Sequence, residues 1–109
     1  MSRGPREDTV EEELVRRVRA LGGRCEKMSM KGRRGFFDRL VVLPNRIIFV
    51  ECKRPIGGVL SPHQIKLHSD YRALGAVVAI VRNSADIDAL LQPQGSQHAE
   101  TPNPPIRAG

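Results

Sequence analysis

Apolar and polar positions recur along this chain with two different periods, and each change of period marks an element. Over residues 9 to 21 the apolar positions Val10, Leu14, Val15, Val18 and Leu21 return every three to four residues, the stripe of an amphipathic helix. Thr9 with Glu12 three residues on predicts a capping box at its start, and Gly22-Gly23 predicts its end. Arg24 to Met30 predicts a first strand, followed by a glycine- and arginine-rich loop, Lys31 to Gly35. Two β-branched, apolar runs come next, Phe37 to Leu43 and Ile47 to Lys53, separated by Pro44-Asn45, and these predict a hairpin. Arg54 to Gly58 reads as a loop. Ser61 as cap, Pro62 at the first helical position and Gln64 at the third predict a second helix running to about Leu74 and closed by Gly75. Ala76 to Arg82 predicts a buried strand, and Ser84 caps a short helix, Ala85 to Leu91. The order is αβββαβα, an α/β chain with one folded domain, 1–92. From Pro93 the composition turns to Pro, Gln, Gly, Ser and Asn, which predicts a disordered tail over 93–109.

The hairpin gathers the chain's most informative residues. If Leu43 pairs with Arg46, Asp38 falls opposite Glu51, where Cβ atoms are about 4.5 to 5.5 Å apart. Period-2 alternation then puts Lys53 on the same face as Glu51. Proline does not suit the type I′ turn that usually closes a two-residue hairpin, so a longer connection is expected at Pro44-Asn45. Two facing carboxylates at low dielectric repel each other unless a cation lies between them. Hard oxygen ligands suit Mg²⁺, and Mn²⁺ fits as well. The competing reading pairs Asp38 with Arg39 or Lys53 in a surface salt bridge. Two acids and a lysine at one end of a strand pair point to metal-assisted hydrolysis of a phosphodiester, with Lys53 stabilising charge that develops in the transition state.

Charge supports a polyanionic partner. Lys and Arg number 18 against 12 Asp and Glu, a formal net charge of +6. Residues 14 to 39 concentrate this excess in Arg16, Arg17, Arg19, Arg24, Lys27, Lys31, Arg33, Arg34 and Arg39, just upstream of the carboxylates. Lys27, Lys31, Arg33, Arg34, Arg39 and Arg54 are the candidate DNA contacts. The aromatics are only Phe36, Phe37, Phe49 and Tyr71, too few for base-stacking platforms, so backbone and shape recognition is expected. Cys25 and Cys52 form neither a disulfide framework nor a zinc motif and suit small apolar fillers in a reducing compartment. No run is long and apolar enough to span a bilayer and no signal peptide is visible, so a soluble, intracellular protein with no membrane partner is expected. A unit this small favours a homodimer for gripping a large substrate.

Two further residues approach the site by helical geometry. At about 100° per residue, Glu11 lies roughly 45° from the centre of the first helix's apolar stripe, whereas Glu12 and Glu13 lie more than about 110° away. Glu11 therefore points inward, either to serve a metal site directly or through water, or as a helix-dipole acid bordering the core. Glu13 is expected to face water. Gln64 has a capping-box role to fill, yet shares a helical face with Leu67, His68 and Tyr71 that leans toward the sheet. His63, His68 and His98 have no partners at metal-binding spacing and are assigned no catalytic role.

The series Glu11, Asp38, Glu51-Cys52-Lys53, Gln64 resembles the PD-(D/E)XK nuclease superfamily, and in detail its virus-type replication-repair nuclease (VRR-NUC) domain. The likeness runs from about Glu11 to Leu91. It is carried by Glu11-x-x-Leu14 leading to Leu21-Gly22-Gly23, by Gly35-Phe36-Phe37-Asp38-Arg39-Leu40, by Phe49-Val50-Glu51-Cys52-Lys53-Arg54-Pro55, by Leu60-Ser61-Pro62-His63-Gln64, and by Gly75 before the last strand. Phe37 stands where the family's proline normally precedes the aspartate. The resemblance implies a restriction-endonuclease-like αβββαβ core with a central mixed sheet flanked by helices. It implies a Mg²⁺- or Mn²⁺-dependent DNA endonuclease with no small-molecule cofactor, in which Asp38 and Glu51 ligate the metal and the Cys52 backbone carbonyl is a further candidate ligand. Lys53 would be the catalytic lysine, Gln64 the helix-two glutamine and Glu11 the helix-one acid. Short stand-alone members resemble phage or bacterial proteins and, like junction-cleaving resolvases, work as dimers. The expected activity is therefore structure-selective cutting of branched DNA, a four-way junction above all. The alternatives are a non-catalytic DNA-binding module of the same fold and a nuclease acting on linear duplex ends.

Overall fold

Tertiary packing keeps the expected order of elements and moves most of their ends. The structure is a computed structural model that describes residues 7–32 and 35–92; the expected tail, 93–109, and the candidate contacts Arg33 and Arg34 lie outside the described residues. The elements are α1 (Glu7–Ala20), β1 (Arg24–Lys27), β2 (Arg39–Leu43), β3 (Arg46–Cys52), α2 (Pro62–Ala73), β4 (Val77–Val81) and α3 (Ser84–Leu91).

Helix α1 begins before Thr9, so Thr9 lies within its first turn and the expected Thr9/Glu12 capping box does not cap it. Its end follows expectation. Gly22 adopts φ +82°, its N–H donates to the Arg19 carbonyl, and the Gly23 N–H reaches back to the Val18 carbonyl at 3.0 Å, a Schellman arrangement. Strand β1 stops at Lys27, three residues short of Met30. At α3 the cap is Asn83 rather than Ser84: the Asn83 side chain accepts from the Asp86 N–H, which places Ser84 in the first turn.

The four strands form one mixed sheet in the order β1-β2-β3-β4, antiparallel through the first three and parallel between β3 and β4. A parallel pair needs a crossover, and α2 supplies it. Leu43 pairs with Arg46, so the hairpin turn is two residues long and the longer connection expected at Pro44-Asn45 is not formed. Proline is excluded from a type I′ turn but suits the first central position of a type II turn, and Asn45 accepts the positive φ, +67°, that the second position demands.

Each face of the sheet is covered by helices. Cys25, Val41, Ile48, Val50, Cys52 and Val81 pack with Val10, Leu14 and Val18 of α1 and Ile87 of α3. Along β3 the residues between these, Phe49 and Glu51, alternate to the opposite face and meet α2. All four aromatics of the chain gather on that side: Phe37, Phe49 and Tyr71 lie mutually at 5.2 Å between ring centroids, and Phe36 adds its edge to Phe37 at 5.4 Å. Among the described residues, no helix is long and apolar enough to cross a membrane.

Candidate active site

The site begins where β2 and β3 run out of regular pairing. Asp38 sits one residue before β2, and its backbone is tied on both sides: its N–H donates to the Val50 carbonyl at 3.0 Å, and its carbonyl accepts from the Met28 N–H at 2.9 Å. The register ends with Arg39 opposite Val50, and because the Asp38 N–H bonds to the Val50 carbonyl rather than to Glu51, the regular pairing that would set Asp38 opposite Glu51 is not continued; the two acids come together just beyond the end of the ladder. The two carboxyl groups interact, and Oδ2 of Asp38 accepts from the Cys52 N–H at 2.7 Å. Among the described residues Arg39 pairs with Glu11 instead, and Asp38 is half-buried. Burial pushes its pKa above the ordinary carboxyl range and the charge of Glu11 adds to the rise, while the Cys52 N–H, the contact with Glu51 and the Lys53 ammonium pull it down.

Glu51 is only 2% exposed, and a carboxylate that deep has to be compensated by its surroundings. Gln64 Nε2 donates to its Oε2 at 2.6 Å, the Lys53 ammonium stands 3.7 Å from the same oxygen, and His68 Nε2 lies 3.8 Å from Oε1. The two roles open to Gln64 in the sequence are both filled at once. Its Oε1 accepts from the Ser61 N–H at 2.9 Å and its own N–H donates to Ser61 Oγ at 3.1 Å, completing the capping box, while its amide nitrogen holds the buried acid. Removing a donor to a charged group costs roughly 1.5–3 kcal/mol, whereas losing a serine cap costs about 1 kcal/mol. Gln64→Ala is thus expected to lower stability in urea denaturation by clearly more than Ser61→Ala. Equal losses would mean that Gln64 acts as a cap alone.

Glu11 lies at the α1 side of the strand pair, near enough to bear on the Asp38 charge, and it pairs with cations. Oε2 accepts from Arg39 Nε at 2.7 Å and from the Lys27 ammonium at 3.4 Å, and Arg39 also donates to the Cys25 carbonyl. Arg39 is therefore held inward, with its side chain 18% exposed, while Lys27 remains mostly open at 66%. Lys31 and Arg54 are exposed. Glu13, expected to face water, is half-buried: it accepts from Ser84 Oγ and pairs with Arg17, stitching α1 to α3. Burial raises the thiol pKa of both Cys25 and Cys52, so each stays protonated as an apolar filler, and both are free.

His68, which shares the sheet-facing side of α2 with Gln64 but has no partner at metal-binding spacing in the sequence, is drawn into the site. It is 1% exposed, stacks on Phe37 at 4.9 Å between ring centroids, and flanks Glu51 across from Gln64. Burial, with Arg72 and Lys53 nearby, lowers its pKa and favours the neutral ring.

The donor set fits a hard divalent cation. Among the described residues, no three His, Cys, Asp or Glu side chains converge tightly enough to make a metal cluster unaided. Two touching carboxylates beside backbone atoms suit instead an ion that takes one or two protein carboxylates and completes its shell with waters and phosphate oxygens, as Mg²⁺ does. At Cys52 it is the amide N–H that engages Asp38.

No family model matches the chain. It is 49% identical over 87 residues to the "Putative nuclease p44" of Acyrthosiphon pisum secondary endosymbiont phage 1, a match that covers 79% of this chain and 91% of that protein. It is also similar to a solved structure described as a VRR-NUC domain, with a TM-score of 0.73 and 38% identity, covering 78% of this chain and 92% of the other.

Proposed function

This chain belongs to the VRR-NUC domain family of nucleases, and on that premise we propose that it is a metal-dependent, structure-selective DNA endonuclease. Its substrate is branched duplex DNA, with the four-way junction preferred, and its acting unit is a homodimer. The observation that carries the reading is the buried Glu51 carboxylate, touching Asp38 and held between Gln64 and the Lys53 ammonium. A buried acid pair of this kind is costly to a fold and is expected where function requires it.

Bound Mg²⁺ or Mn²⁺, held by Asp38 and Glu51, would supply an activated water and neutralise phosphate charge. The chain's own residues supply the rest. Gln64 fixes the Glu51 rotamer, and the two backbone bonds of Asp38 fix the other carboxylate against it. Lys53, with its side chain 15% exposed, keeps its ammonium at the mouth of the site, where it stabilises negative charge developing on the phosphate. Glu11 neutralises Arg39 and steadies Lys27 on the flank, leaving Lys27, Lys31 and Arg54 to meet phosphates.

The test is incubation with plasmid, linear duplex and four-way junction DNA in Mg²⁺ or Mn²⁺, with and without chelator. Cutting of the junction in preference to the linear duplex, abolished by chelation, is the expected result. Binding without cutting would leave only a DNA-binding module, and products shortened stepwise from the ends would mark an end-directed nuclease.

A further inference from the structure

We propose that Ile56 and Val59 form an apolar wedge that enters the base stack of the DNA beside the cut and selects duplexes whose stacking is interrupted. The proposal rests on the reading of the chain as a DNA endonuclease and adds the means by which it senses a branch.

The loop that leaves β3 directly after Lys53 carries these two side chains outward. Ile56 is 86% exposed and Val59 74%, so both aliphatic groups stand in solvent next to the candidate catalytic lysine. The loop itself is tightly folded. Gly57 turns the chain with φ +83°, and Gly58 lies so close to the loop's start that a Cβ there would come within 2.7 Å of the Arg54 nitrogen and 3.1 Å of the Lys53 Cβ. The Arg82 guanidinium donates to the Gly58 carbonyl and ties the loop to the end of β4, while the Lys53 N–H donates to the Val81 carbonyl. Ile56 is thus presented on a braced turn.

Position and surroundings identify the occupant. Ile56 is three residues from Lys53, so their Cα atoms are at most about 11 Å apart, roughly three base steps of DNA. Exposed Arg54 precedes the apolar tip in the same loop, a cation suited to a phosphate beside the parted step, while the Lys53 ammonium stays in the site 3.7 Å from Glu51. Aliphatic side chains placed this way part a base step, and the energy needed is least where stacking is already broken. The aromatics that would otherwise offer a stacking surface are packed together against α2.

The test uses a four-way junction carrying 2-aminopurine at the base steps flanking the branch, bound in Ca²⁺ by the whole protein and by an Ile56→Ser/Val59→Ser variant. Wild-type binding is expected to brighten the probe at least threefold, with the variant giving less than half of that rise at saturation. Its preference for junction over linear duplex is expected to fall at least tenfold. Equal brightening by the variant, or no brightening by saturating wild type, overturns the wedge. Cleavage in Mg²⁺ is followed in parallel. A wild type that brightens the probe but never cuts would overturn the endonuclease reading, because the fluorescence decides the wedge independently.

Discussion

Lys53→Ala is expected to slow single-turnover cleavage by about two to three orders of magnitude, the loss typical when one preorganised donor to a developing anion is removed. The position explains the size. The ammonium is held 3.7 Å from Glu51 with only 15% of its side chain exposed, so its charge acts in a partly desolvated setting where water screens it poorly. The same substitution removes a partner from a buried carboxylate, which is itself destabilising. Lys53→Met keeps the apolar stem and so confines the change to loss of the charge, without the packing loss of alanine. Both variants should melt earlier than wild type, and both should show the full rate loss well below their melting temperatures at saturating Mg²⁺. Cleavage by either within tenfold of wild type would remove Lys53 from the chemistry.

Asp38→Asn is expected to abolish cleavage while raising the melting temperature of the metal-free protein by roughly 3–6 °C, an effect of the size produced by relieving a strained functional site. The sign follows from the direction of the pKa shift. Burial raises the carboxyl of Asp38 in the folded protein above its unfolded value. Its contribution to stability is therefore fully present below the ordinary carboxyl range, about pH 4, and is lost as pH rises through the folded value. At neutral pH the ionised acid is a cost. Asparagine removes the charge but keeps an oxygen to accept the 2.7 Å bond from the Cys52 N–H. The advantage of the variant should accordingly be largest at pH 7 and shrink toward pH 4. Mg²⁺ should reverse the ranking, because a cation that binds only the folded wild type stabilises it by mass action. A variant less stable than wild type without metal, or raised equally by Mg²⁺, would contradict the assignment of Asp38 as a ligand.

The site was legible in the sequence where it depends on the hairpin and on local caps. A single pairing rule across Pro44-Asn45 yields the observed register from Leu43 with Arg46 to Arg39 with Val50, which carries Asp38 to the neighbourhood of Glu51, and Ser61-x-x-Gln64 marks the start of α2. The turn is shorter than expected because proline, excluded from type I′, is accommodated in a two-residue turn by the positive φ of Asn45, which leaves the register unchanged. What could not be read were contacts that cross between elements. His68 meets Glu51 only because α2 crosses over the sheet, and the bond of Glu13 to Ser84 spans 71 residues. Helical geometry turns Glu11 inward, yet its pairing with Arg39 depends on how α1 packs on the sheet, which periodicity does not specify.

The backbone bonds of Asp38 also bear on how the enzyme would lose activity. The Asp38 N–H bonds to Val50 and the Cys52 N–H to the Asp38 carboxyl, and both partners lie on β3, a central strand whose amides are among the least able to exchange with solvent until the whole domain opens. The carboxylate pair therefore cannot fray by itself. Under rising heat or denaturant the active fraction should decline in step with global unfolding, each surviving molecule keeping its full rate.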